Sequence, residues 1–139
     1  MIFTLIPHEH VLNVWPDVAG MFERATRTTN GRFDKLNVLD ELLDNKLCLW
    51  VIYEDTTPVA SLTTRVVQYK EYKSLSIDWV GGHKMSGWLD EVMQTLKKYA
   101  KDQDCSRLEG RGRSGWTRAL KKYGWKPDYI AVELELNDE

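Results

Sequence analysis

Carboxylates and arginines stand close together in the last third of the chain, and such side chains can move protons or bind anions. Glu109 is followed by Arg111 and Arg113. Glu109 could act as a general base if burial raises its pKa towards neutrality, or it could pair with the two arginines. Arg111 and Arg113 could instead bind a phosphate group or an acidic substrate. A second carboxylate, Asp78, could serve as a base or lie on the solvent side of a strand.

The other residue types that often carry chemistry give weaker patterns. His8 and His10 flank a glutamate, but no further ligands stand near them, so no metal site is predicted. Cys48 and Cys105 are far apart and lack a CxxC spacing, which disfavours both a disulfide framework and a zinc site. His83 could titrate near neutrality or could be an ordinary loop histidine.

Length and composition predict one globular domain that spans residues 1–139. Hydrophobic residues make up 42% of the chain and charged residues 29%, which is typical of a soluble domain. The net charge of −2 gives no basic field, so nucleic-acid binding is not expected. The longest apolar run, Leu47–Tyr53, is too short to cross a bilayer. Because Met1–His10 also lacks the features of a signal peptide, we expect a cytoplasmic protein without membrane contact.

Hydrophobic periodicity predicts the elements that would position these side chains. Four helices are expected around residues 11–25, 36–43, 88–100 and 116–123. Asp34 is placed to cap the second helix and Gly124 to end the last one. Six strands are expected at Ile2–Ile6, Leu47–Tyr53, Val59–Tyr69, Leu75–Val80, Arg107–Gly110 and Tyr129–Leu136.

The resulting order is β-α-α-β-β-β-α-β-α-β, which predicts an α/β fold with a mixed six-stranded sheet. Three strands on short links should form an antiparallel meander. The long helix after the fourth strand is a crossover, so the fourth and fifth strands should run parallel. A cleft is expected at the carboxyl end of the strand that precedes this helix.

This element order resembles that of the GNAT superfamily of N-acetyltransferases over nearly the whole chain. The stretch Arg107–Lys126 is similar to the fifth strand, the short helix and the Gly-aromatic step of that family, with Lys122-Tyr123-Gly124-Trp125 at the step. The Gly-Gly pair before the crossover helix and the Gly-Arg-x-Gly-Trp motif after it also resemble short GNAT-like proteins of tailed bacteriophages. The resemblance implies a GNAT-like fold that binds acetyl-CoA.

The GNAT resemblance implies where acetyl-CoA would bind. The family uses a Gln/Arg-x-x-Gly-x-Gly/Ala loop, whose small residues let backbone N–H groups reach a pyrophosphate. Here that loop falls on Lys84-Met85-Ser86-Gly87-Trp88-Leu89, and we expect its first five residues to contact the cofactor. Arg113 is a further candidate for a CoA phosphate. Leu89 replaces the second small residue, and Asp90 and Glu91 add negative charge.

The resemblance also implies a catalytic role for one of two carboxylates. The family often places a base on the fourth or fifth strand, where Asp78 and Glu109 are the candidates. Its frequent general acid, a Tyr four residues before the Gly of the Gly-aromatic step, corresponds to Leu120, which cannot donate a proton.

Two functions follow from the resemblance. The first is transfer of an acetyl group from acetyl-CoA to an unidentified amine by direct attack. The second is a catalytically inactive GNAT-fold phage protein, present in the host cytoplasm or the virion, that binds a phage or host protein. Leu120, Leu89 and the acidic first helical turn favour the second function. Lys84 and Gly87 permit the first.

Overall fold

The computed structural model describes residues 1–111, 114–129 and 131–136. The described residues confirm the α/β class, with four α-helices and a mixed sheet of five strands. The elements are β1 (Ile2–Ile6), α1 (Val11–Thr26), α2 (Lys35–Leu43), β2 (Cys48–Glu54), β3 (Thr57–Gln68), β4 (Lys73–Gly82), α3 (Met85–Asp102), β5 (Arg107–Gly110) and α4 (Ser114–Leu120).

The strands lie in the sheet in the order β1-β2-β3-β4-β5. β1 to β4 pair antiparallel with their neighbours, whereas β4 and β5 are parallel. β4 and β5 are parallel because α3 connects them and carries the chain back to the end of the sheet at which β4 begins. The meander and the parallel crossover pair are therefore present as the sequence predicts.

Two hydrophobic clusters cover the two faces of the sheet. On one face α3 packs against the meander, and its cluster includes Leu75, Ile77 and Leu96. On the other face α1 lies over β3 and β4, and the side chains of α1 and α2 form a cluster with those of β2 that includes Phe22 and Leu42. Burying each such side chain contributes about 1.5–3 kcal/mol. The alternation of side chains along the strands divides the sheet into these two faces.

β4 contains a β-bulge opposite Thr63. Leu62 pairs with Val80 and Thr64 with Ile77, so two residues of β4, Asp78 and Trp79, oppose the single residue Thr63. Trp79 packs against the α1/α2 cluster, whereas Val80 packs against the α3 cluster. A bulge re-aims the side chains beside it. Here it places the Trp79 indole on the face of the sheet covered by α1 and α2.

Two glycines end β4 because no side chain fits there. A Cβ on Gly82 would lie 2.4 Å from Ala60 Cα, and the φ of this residue is +119°. A Cβ on Gly81 would lie 2.5 Å from the Met21 carbonyl oxygen. Only glycine allows this approach of the strand to both α1 and β3. The pair fixes the point from which the chain turns into α3.

The sixth strand predicted from the sequence, Tyr129–Leu136, is not found in the described residues. Tyr129 and residues 131–136 form no strand, and Ile130 and residues 137–139 lie outside the described residues. Val132 is 90% exposed and Leu134 is 83% exposed. Alternating apolar residues form a strand only when a sheet edge accepts them, and β5 offers four residues. Glu133 instead contacts Arg32 in the link between α1 and α2.

Candidate active site

β4 and β5 part at the place where the sequence predicts a cleft. Their pairing runs from Ser74 and Arg107 to Ile77 and Gly110. β4 continues to Gly82, so in the described part of the chain residues 78–82 have no partner strand on the β5 side. Backbone groups of this stretch are therefore left for another partner. α3 begins three residues after β4 ends, beside the opening.

A cleft of about 330 Å³ lies between the start of α3 and the last helical turns of the chain. Its walls carry two cations from the α4 side and one carboxylate from α3. The lining residues are Met85, Ser86, Leu89, Asp90, Arg118, Ala119, Lys122 and Tyr123. Cations that face the N-terminus of a long helix are suited to hold an anion. Asp90 opposes this because it puts negative charge in the first turn of the helix.

Two of the six predicted cofactor residues, Met85 and Ser86, line this cleft. Lys84 precedes α3 in a left-handed conformation with φ of +61°, and its Nζ lies 2.7 Å from Glu54 Oε2. The hydrogen bond from Lys84 lowers the pKa of the exposed Glu54 carboxyl. The Lys84 ammonium group therefore forms an ion pair with the last residue of β2. Arg113 lies outside the described residues.

Gly87 and Trp88 do not line the cleft. A Cβ on Gly87 would lie 3.1 Å from Met1 Cε, so the N-terminal side chain occupies the space beside this glycine. Trp88 is 3% exposed, and its indole N–H donates to the His83 carbonyl oxygen over 2.8 Å. The Trp88 ring belongs to the core beneath α3, where it fixes the loop that leads into the helix.

Tyr123 joins the two walls of the cleft. Its hydroxyl donates a hydrogen bond to Asp90 Oδ1, and this bond raises the pKa of the Tyr123 phenol. Leu120, at the position of the missing general acid, packs with Trp116 against the α3 cluster. Leu120 and Trp116 therefore stabilise α4 on the core, and Tyr123 bridges the mouth of the cleft.

Sequence reasoning did not assign Arg118 or Lys122 to the acetyl-CoA site. A signal was present, because residues four apart on a helix share one face. The predicted last helix already placed Arg118 one turn before Lys122. Nothing in the sequence shows which face of that helix is turned towards α3, so the cleft itself could not be derived.

The predicted base Asp78 lies in an ion pair on the opposite face of the sheet. Its two carboxylate oxygens accept hydrogen bonds from the Arg65 guanidinium, and Ser76 Oγ donates to Oδ1 over 2.7 Å. The hydrogen bond with Asp78 raises the pKa of Arg65. Both partners are partly buried. Both carboxylate oxygens of Asp78 therefore already have hydrogen-bond partners within the sheet.

Glu109 is more available than Asp78. It pairs across the sheet with Ser76, which in turn pairs with Arg65, so these three residues form one cross-strand row. Glu109 Oε2 accepts a hydrogen bond from the Tyr69 hydroxyl over 2.8 Å. Within the described residues no partner contacts Oε1, and Arg111 forms no ion pair with Glu109. The structure therefore presents one carboxylate oxygen at the end of β5.

Across residues 1–111, 114–129 and 131–136, no helix has the length and apolar character that a bilayer crossing requires. In the same ranges, no three His, Cys, Asp or Glu side chains group closely enough to hold a metal ion.

No protein-family model and no curated protein matches the sequence. Solved structures do resemble this chain. A ribosomal-protein-alanine N-acetyltransferase from Brucella melitensis biovar Abortus 2308 gives a TM-score of 0.72 at 12% identity, over 98% of this chain and 100% of that one. A predicted acetyltransferase from Clostridium acetobutylicum, solved with acetyl-CoA, gives 0.67 at 13% identity, over 96% of this chain and 95% of that one.

A third similar structure is an aminoglycoside acetyltransferase from an uncultured soil metagenomic sample, solved in complex with sisomicin. Its TM-score is 0.67 at 13% identity, over 98% of this chain and 96% of that one. At such low identity the likeness shows the fold alone. This chain has the fold of GNAT-type acetyltransferases, as the sequence resemblance implied.

Proposed function

We propose that this protein transfers an acetyl group from acetyl-CoA to an amine. The observation that carries the proposal is the parting of β4 and β5 after Ile77 and Gly110, beside the cleft at the start of α3. Such an opening gives an extended thioester a path from the cleft to the sheet. The likeness to acetyltransferase structures supports the same function at the level of the fold.

The cleft fits the phosphate groups of acetyl-CoA in part. Arg118 and Lys122 would hold the pyrophosphate with charge-assisted hydrogen bonds, and Ser86 would add a hydroxyl donor. The dipole at the N-terminus of α3 also favours an anion. Asp90 works against binding because its negative charge lies in the wall of the same cleft. Affinity therefore depends on the two α4 cations.

Glu109 would take the proton of the attacking amine, directly or through water. The amine nitrogen forms a bond to the acetyl carbon, the bond from that carbon to sulfur breaks, and the CoA thiolate leaves and takes a proton from water. Backbone N–H groups in residues 78–82 would stabilise the negative charge that develops on the carbonyl oxygen. Positioning of the two reactants would supply much of the rate increase, because Leu120 cannot act as the acid.

The proposal is tested by incubating the protein with acetyl-CoA and a panel of primary amines, with mass spectrometry of the acetylated products. Glu109→Gln should lower kcat by roughly 10²-fold or more, the usual contribution of a general base. Glu71→Gln is the matched control, since Glu71 is an exposed carboxylate in the β3–β4 turn. Acetylation that is equally fast in Glu109→Gln would refute the role of Glu109, and no product with any amine would refute the activity.

A second candidate function is a binding protein without catalysis. The Tyr123 bridge to Asp90 across the cleft favours it, because the bridge holds a carboxylate where a phosphate would bind. Leu120 also favours it, because this residue cannot donate a proton at the position where the GNAT family often has its general acid. The sequence likeness to phage proteins would make the partner a phage or host protein. Millimolar acetyl-CoA that leaves the Tm of wild type, Asp90→Asn and Tyr123→Phe unchanged would favour this function over acetyl transfer.

A further inference from the structure

We infer that a second pocket of this protein, between the end of α1 and the start of α2, binds a free α-amino acid with an apolar side chain. This α1–α2 pocket has a volume of about 380 Å³, which is within the range of small-molecule sites. Among the described residues, none lines both this pocket and the cleft at the start of α3. The inference therefore goes beyond the proposed acetyl transfer and does not depend on it.

The charged side chains that line the α1–α2 pocket balance one another. In the described part of the chain they are two cations, Arg27 and Lys35, and two carboxylates, Glu23 and Asp34. A ligand with one ammonium and one carboxylate group adds no net charge, and each of its ends meets a partner of opposite sign. A ligand with only one of these groups would give the occupied pocket a net charge. This balance of charges favours a zwitterion.

The ion pairs that Glu23 already forms can be replaced by a ligand. Glu23 Oε1 lies 3.5 Å from Arg27 Nη2, and Glu23 Oε2 lies 3.6 Å from Lys35 Nζ. The three side chains are at least 40% exposed, and ion pairs of this kind contribute little to stability. An amino acid can therefore insert between them. Its ammonium group would pair with Glu23, and its carboxylate would pair with Lys35 and Arg27.

Asp34 fixes one wall of the pocket and adds a second acceptor for the ammonium group. Its Oδ1 accepts hydrogen bonds from the Leu36 and Asn37 backbone N–H groups, and Asn37 Oδ1 accepts from the Asp34 N–H over 2.8 Å. This capping box holds the first turn of α2 in place. Within the described residues Asp34 Oδ2 has no hydrogen-bond partner, so this oxygen can serve the ligand.

Two apolar side chains give the pocket a surface for the side chain of the ligand. Phe33 and Leu36 both line it, although they are 45% and 56% exposed. The Phe33 ring packs edge-on against Trp79, with centroids 5.4 Å apart, and the Phe33 N–H donates to Thr29 Oγ1 over 3.2 Å. Covering this held apolar surface favours an amino acid with an aliphatic or aromatic side chain over glycine.

The test measures the binding of leucine by calorimetry and saturation-transfer NMR near neutral pH. Acetyl-CoA is left out, so the result is separate from that for the proposed function. Three analogues each lack one feature: N-acetylleucine lacks the positive charge, leucinamide the negative charge and glycine the apolar side chain. We expect leucine to bind at least about tenfold more tightly than each analogue, with its methyl protons receiving the largest saturation.

Two variants locate the binding in the α1–α2 pocket. Lys35→Gln should weaken leucine binding about fivefold or more, because the ligand carboxylate loses a cation. Phe33→Ala should weaken leucine binding by a similar factor and leave glycine binding unchanged. Lys46→Gln, at an exposed lysine after α2, and Leu12→Ala, at an exposed leucine of α1, are the matched controls and should bind as wild type does.

The inference is overturned if leucine does not bind wild type, or if N-acetylleucine or leucinamide binds as tightly as leucine. Equal binding of leucine by wild type, Lys35→Gln and Phe33→Ala overturns it as well, since leucine would then bind elsewhere. Weakening in these two variants but not in the two controls supports the inference, whether or not the protein transfers acetyl groups. Circular dichroism checks that each variant is folded.

Discussion

Tyr69 and Glu109 are joined by a hydrogen bond of 2.8 Å from the Tyr69 hydroxyl to Glu109 Oε2. The bond connects the residue just after β3 to β5, across the intervening strand β4. It orients the carboxylate that we propose as the base and, within the described residues, leaves its second oxygen without a hydrogen-bond partner. The orientation of a side chain at the short strand β5 therefore depends on a residue forty positions earlier.

The phenol of Tyr69 should titrate above its ordinary pKa of 10.0, because the hydrogen bond to Glu109 stabilises the protonated form. A pKa raised by folding gives stability that is present below pH 10 and is lost as the pH rises through the folded pKa. Glu109→Gln should lower the Tyr69 pKa towards 10. Ultraviolet difference titration near 295 nm, with Tyr69→Phe to assign the signal, measures this shift. A Tyr69 pKa unchanged by Glu109→Gln would contradict the bond.

Two adjacent threonines of β3 should respond oppositely to the same substitution. Thr64 Oγ1 accepts a hydrogen bond from the buried Trp50 indole N–H over 2.9 Å. Thr64→Val should therefore lower the free energy of unfolding by about 1–2 kcal/mol. Thr63 Oγ1 is buried, with no hydrogen-bond partner in the described residues. Thr63→Val should be neutral or stabilising, because it removes an unpaired polar atom.

Urea unfolding of both threonine variants measures the difference directly. Each variant is the control for the other, since both change the same atoms at buried positions of one strand. Equal losses of stability in the two variants would mean that the Trp50 bond contributes nothing beyond threonine packing.

Removal of the Asp78 charge should destabilise the fold without exposing the core. In Asp78→Asn the Arg65 guanidinium loses its ionic partner in a partly buried position, and we expect a loss of about 1–2 kcal/mol. Glu23→Gln is the control, because its contacts with Arg27 and Lys35 are exposed and should contribute close to zero. Urea unfolding again reports the change. Similar effects in the two variants would contradict the structural role of the Asp78 pair.

Local signals in the sequence were sufficient for most of the fold. The alternation around Leu75 and Ile77 gave β4, and the Asp34 cap is confirmed by its bonds to the backbone N–H groups of residues 36 and 37. Gly124 ends the last helical turn with φ of +89°. Such features depend on a few neighbouring residues, so periodicity and turn chemistry reveal them. The prediction of the last strand was wrong, because a strand at this position needs a sheet edge to pair with, and that edge is formed by residues distant in the sequence.

The site was less accessible to sequence reasoning because its contacts cross strands. The sequence indicated Asp78 and Glu109 as candidate bases. The ion pair between Asp78 and Arg65 could not be predicted, because it depends on the register of β3 and β4 and on a β-bulge that the alternation of side chains does not encode. Trp88 was assigned to the cofactor by its place in a loop motif, whereas the core beneath α3 buries it. Apolar residues near a site serve packing as readily as binding.

Calorimetric titration of acetyl-CoA into wild type and into the double variant Arg118→Ala, Lys122→Ala measures whether the cleft binds this substrate. We expect saturable binding to wild type and an affinity at least about tenfold lower in the double variant, because two charge-assisted hydrogen bonds are lost. Lys126→Ala, which removes an exposed lysine outside the cleft, should bind as wild type does. Absence of binding to wild type, or equal affinity in the double variant, would mean that acetyl-CoA does not bind in this cleft.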